Sequence, residues 1–75
     1  MYRMTYTTHY TNGATTVRRS TRLIALIENA QAVIDVAMHA AANDERTAGL
    51  VRTGGGRASL LMDDGTVHVM EVCQA

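Results

Sequence analysis

The chain opens on a strict alternation. Tyr2, Met4, Tyr6, Thr8 and Tyr10 fall on one side of an extended segment and Arg3, Thr5, Thr7, His9 and Thr11 on the other. That is the period-2 pattern of a half-buried strand rich in aromatic and β-branched residues. Asn12-Gly13 follows, the dipeptide that best fits a two-residue hairpin turn, because both central residues of a type I′ turn need positive φ. Ala14 to Arg19 reads as the returning strand. A two-residue turn sets Tyr10 opposite Thr15, Thr8 opposite Val17 and Tyr6 opposite Arg19.

The period then changes. Leu23, Ile27, Ala30, Ile34, Ala37, Met38 and Ala41 recur at helical spacing, and Ile24, Leu26 and Val33 widen the stripe to about half the circumference. Glu28, Asp35 and His39 lie opposite. Ser20 or Thr21 is placed to cap this helix. Asn43 to Arg46 ends it, with Gly49 as a left-handed terminator. An arc this broad suits a helix lying across a sheet better than a narrow coiled-coil seam.

Leu50 to Thr53 reads as a short strand or as extended chain, and Gly54-Gly55-Gly56 as a mobile connection. Arg57–Met62 and Val67–Val72 form a second hairpin around Asp64-Gly65. This register puts Leu60, Met62, Val67 and Val69 on one face, and Ser59, Leu61, His68 and Met70 on the other. The first, wholly apolar set is expected to meet the helix, together with Met4, Tyr6, Tyr10 and Val17. The reading is one α+β domain over residues 1–75. It has an antiparallel sheet of two β-hairpins with one amphipathic helix packed on one face, a ββαββ order with room for an extra short strand.

At 75 residues the chain can bury only about 60% of the surface it exposes when unfolded, so its stability is marginal. Its apolar share is 47% and its formal charge is zero. Disorder is therefore not indicated, and a purely charge-driven nucleic-acid binder is disfavoured. No apolar run reaches the roughly 20 residues of a membrane-spanning helix, and the opening residues lack a signal peptide's apolar stretch. The single cysteine, Cys73, excludes an intrachain disulfide, which points to a reducing, cytoplasmic setting.

The residues able to carry chemistry do not assemble into a recognisable motif. His9, His39 and His68 lack paired metal-ligand spacing. His9 and His68 would meet on the outer sheet face if their strands are neighbours. Cys73 has no evident base. Asp63-Asp64 supplies too few oxygens for Ca²⁺ and is explained by the turn. The triglycine segment precedes a strand and lacks the Lys of a phosphate-binding loop. No cofactor, metal or enzymatic activity is expected.

Charge placement is more informative. Every basic residue is Arg, and Arg3, Arg18, Arg19 and Arg22 precede the first acid, Glu28. Arg3 and Arg18 are expected on the outer sheet face with His9 and the threonines, joined by Arg57. Leu61 and Met70 are expected there too, as apolar anchors. These eight residues, Arg3, Arg18, Arg19, Arg22, Arg57, His9, Leu61 and Met70, form the expected partner-binding set. Arginine beside exposed apolar residues is typical of protein interfaces.

The layout of an N-terminal hairpin over Tyr2–Arg19, one amphipathic helix, and a closing hairpin with an Asp-Gly turn and a final Val72-Cys73-Gln74 resembles small anti-CRISPR proteins of phages and mobile elements. These act on type I surveillance complexes. The resemblance implies a non-enzymatic inhibitor that binds protein subunits built to hold guide RNA and target DNA. The expectation is thus a protein-binding module, with a homodimer also open to it. The alternative is a small nucleic-acid-binding or regulatory domain using the Arg/Thr/His sheet face. Its stacking aromatics would then be Tyr2, Tyr6 or Tyr10.

Overall fold

A computed structural model describes all 75 residues. One helix packs against a five-stranded antiparallel sheet. The elements run β1 (Tyr2–His9), β2 (Thr15–Arg19), α1 (Ile27–Ala42), β3 (Thr47–Thr53), β4 (Arg57–Met62) and β5 (Val67–Gln74). The order across the sheet is β2-β1-β5-β4-β3. The two hairpins expected from the sequence are therefore joined through their long strands, β1 and β5, at the centre. The segment around Leu50–Thr53 is a full strand, β3, at one edge, with a register shift between Thr47 and Gly49.

The Asn12-Gly13 and Asp64-Gly65 turns each hold three residues instead of two. In the first, the Tyr10 amide donates to the Ala14 carbonyl (2.9 Å) and the Gly13 amide to the Tyr10 carbonyl (3.1 Å). Asn12 Oδ1 accepts the Ala14 amide at 2.9 Å. The second repeats this atom for atom: Met62 amide to Thr66 carbonyl (2.8 Å), Gly65 amide to Met62 carbonyl (3.0 Å), and Thr66 amide to Asp64 Oδ1 (2.9 Å). Gly13 and Gly65 both have φ +89°, and no other residue type in the chain has positive φ. A type I′ turn would have required Asn12 and Asp64 there as well. The Asx side chains instead cap their turns from an ordinary backbone conformation, and glycine alone takes the left-handed one.

One extra turn residue shifts each register by one and exchanges the faces of one strand per hairpin. Tyr6 stands opposite Arg18, and Thr7 opposite Val17. Arg18 therefore lies on the helix side, not the outer side, and Val17 turns outward. In the second hairpin Leu60 stands opposite His68 and Ala58 opposite Met70. His68 and Met70 thus face the helix, while Val67 and Val69 face out.

The core is small. Six residues are buried: Met4, Ala30, Ile34, Ala41, Ala58 and Met70. All but Ala41 form one cluster, and Tyr2, Tyr6, Ile24, Ala37, Met38, Leu60 and Val72 pack around it, half-buried. Alanines on both sides, Ala30 from the helix and Ala58 from the sheet, let α1 lie close to the strands while Ile34, Met4 and Met70 fill the remaining space. Tyr10 and Val17, expected in the core, are exposed.

The helix starts at Ile27, later than the apolar stripe implied. Ser20 to Ile24 instead continues alongside β1. The Ser20 amide donates to the Met4 carbonyl, and Tyr2 and Ile24 exchange both backbone hydrogen bonds at 2.7 and 2.9 Å. Ser20 Oγ serves a local turn, accepting the Arg22 amide at 3.2 Å. The N-cap position falls to Leu26, in extended conformation and with no side-chain cap. Asn43 closes the other end, and its side-chain amide donates to the His39 carbonyl at 3.0 Å. Gly49 does not terminate the helix; it lies within β3.

Candidate protein-interaction surface

The arginines divide into two classes. Three are paired. Arg46 meets Asp44 at 3.0 Å, Arg57 meets Glu71 at 2.9 Å, and Arg52 meets Asp35 across the gap between β3 and α1. The Arg46 guanidinium and its backbone amide hold the Asp44 carboxyl below the usual carboxylate range, and Asp44 in turn raises Arg46. Arg52 also donates from Nη2 to the Gly55 carbonyl at 2.9 Å and from Nε to the Gly54 carbonyl at 3.3 Å. A Cβ on Gly55 would lie 2.6 Å from Gln31 Nε2. The triglycine segment is thus a turn fastened to the helix, not a free connection.

The other four arginines, Arg3, Arg18, Arg19 and Arg22, form no ion pair. The fold brings them to the β1–β2 side of the sheet. Arg3 is opposite Cys73, Arg19 opposite Thr5, and Arg18 opposite Tyr6. Arg22 follows Ser20 along the same edge. The alternation of β2 separates them by face. Arg3 and Arg19 project from the open side of the sheet, and Arg18 from the helix side. Arg3 Nε is shielded from water without a hydrogen-bond partner.

Strand β2 is the edge of the sheet, and all five of its residues are exposed. The helix does not reach over it. A groove of about 390 Å³ remains between α1 and β2, lined by Tyr6, Thr8, Thr16, Arg18, His68 and Ala37. The Arg18 guanidinium lies over the Tyr6 ring, 5.2 Å from its centre, a cation–π contact that holds the charge at the groove wall. The groove continues past Tyr6 to a second hollow where Arg22 meets Leu23, Ile24 and Val33. This composition, two arginines over aromatic and aliphatic walls beside an unpaired strand edge, suits a docked peptide segment.

The remaining members of the expected set fall elsewhere. Met70 is buried under the helix and is core, not an anchor. Leu61 is on the outer face and exposed, as expected. Arg57 is outward but engaged by Glu71. His9 is outward, its Nδ1 3.2 Å from Thr15 Oγ1, and His68 is inward, its Nδ1 3.0 Å from Thr8 Oγ1. The two histidines lie on opposite faces, and no cluster of three metal-binding side chains occurs. The contacts of Cys73 are the Thr5 hydroxyl at 3.4 Å and the Glu71 carboxylate at 3.6 Å. Sequence reasoning missed the contribution of Tyr6 and Val33 to the groove, because the arginine partner of Tyr6 depends on a turn of three residues.

No helix is long and apolar enough to cross a membrane. Compared with protein-family models, with curated proteins and with solved structures, the chain matches none of them.

Proposed function

We propose that the chain is a non-enzymatic protein-binding module that docks an acidic segment of a partner into the groove between α1 and β2. The observation that carries this reading is the set of four arginines without carboxylate partners on the β1–β2 side of a molecule whose other three arginines are all paired. Like charges held together repel unless something neutralises them. Arg18 and Arg22 supply charge-assisted donors, Tyr6, Leu23 and Val33 supply apolar area, and the free edge of β2 offers backbone groups for an added strand.

Affinity capture with the intact protein tests this. Arg18→Glu with Arg22→Glu is expected to release a retained protein that a Val36→Ala change, on the solvent side of the helix, leaves bound. Unaltered capture by the charge-reversed chain would refute the groove. A partner of the inhibitor kind, a subunit of a type I surveillance complex, is the specific version suggested by the layout resemblance. Expression in cells carrying an active type I system is then expected to restore phage plating, and undiminished interference at good expression would eliminate that partner.

The Tyr6–Arg18 pair on an uncovered part of the sheet favours a second reading, single-stranded nucleic acid. Bases stack on aromatic and guanidinium faces while arginines track phosphates. A salt series separates the two. Nucleic-acid affinity falls linearly in log–log form with a slope set by the phosphates neutralised, and absence of any shift of DNA or RNA at low salt would eliminate this reading.

A further inference from the structure

We infer that the groove beside α1 receives an amphipathic helix of the partner, laid over β1 and β2 with acidic residues turned to Arg18 and Arg22. This rests on the proposed groove and names the form its occupant takes. A five-stranded sheet spans about 20 Å between its outer strands, at about 4.8 Å per step. A helix with its side chains is about 10 Å across, so one face has room for two helices side by side. The chain supplies one. α1 packs on β1, β3, β4 and β5 and makes no contact with β2. It begins near the start of β1, where Ile24 pairs with Tyr2. It ends near β3, where Ala41 and Ala42 share a hollow with Thr47 and Leu50. The helix thus crosses the sheet obliquely and leaves the turn end of the first hairpin open. Tyr10, which follows Tyr6 and Thr8 on the same side of the ribbon, is 45% exposed there.

The flank of α1 that overlooks this space is built for helix packing. Asn29, Val33 and Ala37 recur every four residues and line the two hollows. A row at that spacing is a ridge that interdigitates with the ridges of a second helix. This row carries no charge, and Asn29 and Val33 are exposed. The small side chain of Ala37 lets a second backbone come close. Val36 lies on the solvent side of the row and outside it. No acid lines either hollow, and Arg18 stands in one and Arg22 in the other, both without an ion-pair partner. The complementary occupant has apolar residues toward Val33 and Ala37 and carboxylates along the flank that meets the arginines.

The groove lies above the sheet and not in its plane, which decides between a helix and a strand. The Tyr10 amide bonds the Ala14 carbonyl and the Ser20 amide bonds the Met4 carbonyl. Antiparallel alternation then turns the backbone groups of Thr16 and Arg18 to β1 and those of Thr15, Val17 and Arg19 to the free edge. A strand added at that edge lies beside β2, about 4.8 Å away in the sheet plane. It leaves the space between α1 and β2 unfilled. A segment lying above Thr8 and Thr16 meets side chains, so its buried backbone must be satisfied from within. A helix satisfies its own.

Selection from a library of random peptides of about 18 residues, five helical turns, against the intact chain tests the inference. Recovered peptides are expected to carry apolar residues three and four apart, with Asp or Glu on the adjacent flank. Synthesised, they should gain helical circular dichroism on binding, and a central proline should weaken them roughly tenfold or more. Val17→Pro removes an amide at the free edge without breaking the β1 ladder, and should bind them as wild type does. Val33→Glu sets a carboxylate against the acidic flank and should bind roughly tenfold more weakly. Circular dichroism confirms that each variant folds. Peptides that Arg18→Glu with Arg22→Glu fails to release would refute the groove itself. Three results would overturn the helix and leave the groove standing: arginine-dependent peptides that alternate in period two, that tolerate the proline, or that are lost on folded Val17→Pro. Undiminished binding by Val33→Glu would do the same. Binding of polythymidine in place of any arginine-dependent peptide would give the groove to single-stranded DNA.

Discussion

At the scale of single residues, the two Asx positions set the register of this fold. Asn12 and Asp64 accept the same amide hydrogen bond in equivalent turns, so one role is filled once by a neutral and once by a charged side chain. The Asp64 carboxyl is held below the usual carboxylate range, chiefly by the backbone amide of Thr66. A folded-state pKa below the unfolded one stabilises the protein above the unfolded value, about 4 for Asp, and that contribution disappears as pH falls through the lower folded value. Asp44, depressed by Arg46, acts in the same direction. Thermal melts should therefore show stability declining below about pH 4. Asp64→Asn keeps the acceptor that Asn12 already provides in the sister turn. It should melt close to wild type at neutral pH with a shallower acid decline. Asp64→Ala removes the acceptor and should melt lower at both pH values. If the Ala and Asn variants melt alike, the hydrogen bond is not what holds the turn.

At the scale of elements, type and order were legible in the sequence and faces were not. Alternation in Tyr2–His9 and the helical stripe from Ile27 to Ala41 are long, redundant signals, and both became the elements they describe. A face depends on the parity of a turn, and Asn-Gly or Asp-Gly serves two-residue and three-residue turns alike. One residue of difference moved Arg18 and Met70 inward and Val17, Val67 and Val69 outward. The arginine cluster survived that error as a cluster, because it depends on order along the chain; its division between two faces did not.

The helix start failed for another reason. Leu23 and Ile24 fit the 3.6-residue period, but Ile24 is taken by a backbone bridge to Tyr2, and tertiary pairing overrides propensity. The consequence is a helix without an N-cap. Leu26 holds that position with φ −107° and ψ 134°, the extended geometry a capping residue needs, and its side chain is largely exposed. Leu26→Asp should supply both the missing acceptor and a negative charge at the positive end of the helix dipole. The expected gain is about 1 kcal/mol in chemical denaturation. A variant less stable than wild type would show that Leu26 packs against something more valuable than a cap.

At the scale of the whole molecule, one helix covers one face of a five-stranded sheet, and the other face has no cover of its own. The interior is correspondingly thin: six buried residues, three of them alanine, in a body 18 Å across its short axis. Two structural demands follow from the same fact. The covered face must be packed without loss, and the uncovered face carries apolar rows that a partner would shield. Ile34 bears most on the first demand, since it is fully buried, central in α1 and clustered with Ala30, Met4, Ala58 and Met70. Ile34→Ala should cost about 2–5 kcal/mol. Small domains have only about 5 kcal/mol or slightly more to lose, so the variant should keep little of that reserve and melt far below the wild type. Val36→Ala, two residues away on the exposed side, should change stability by no more than about 0.5 kcal/mol.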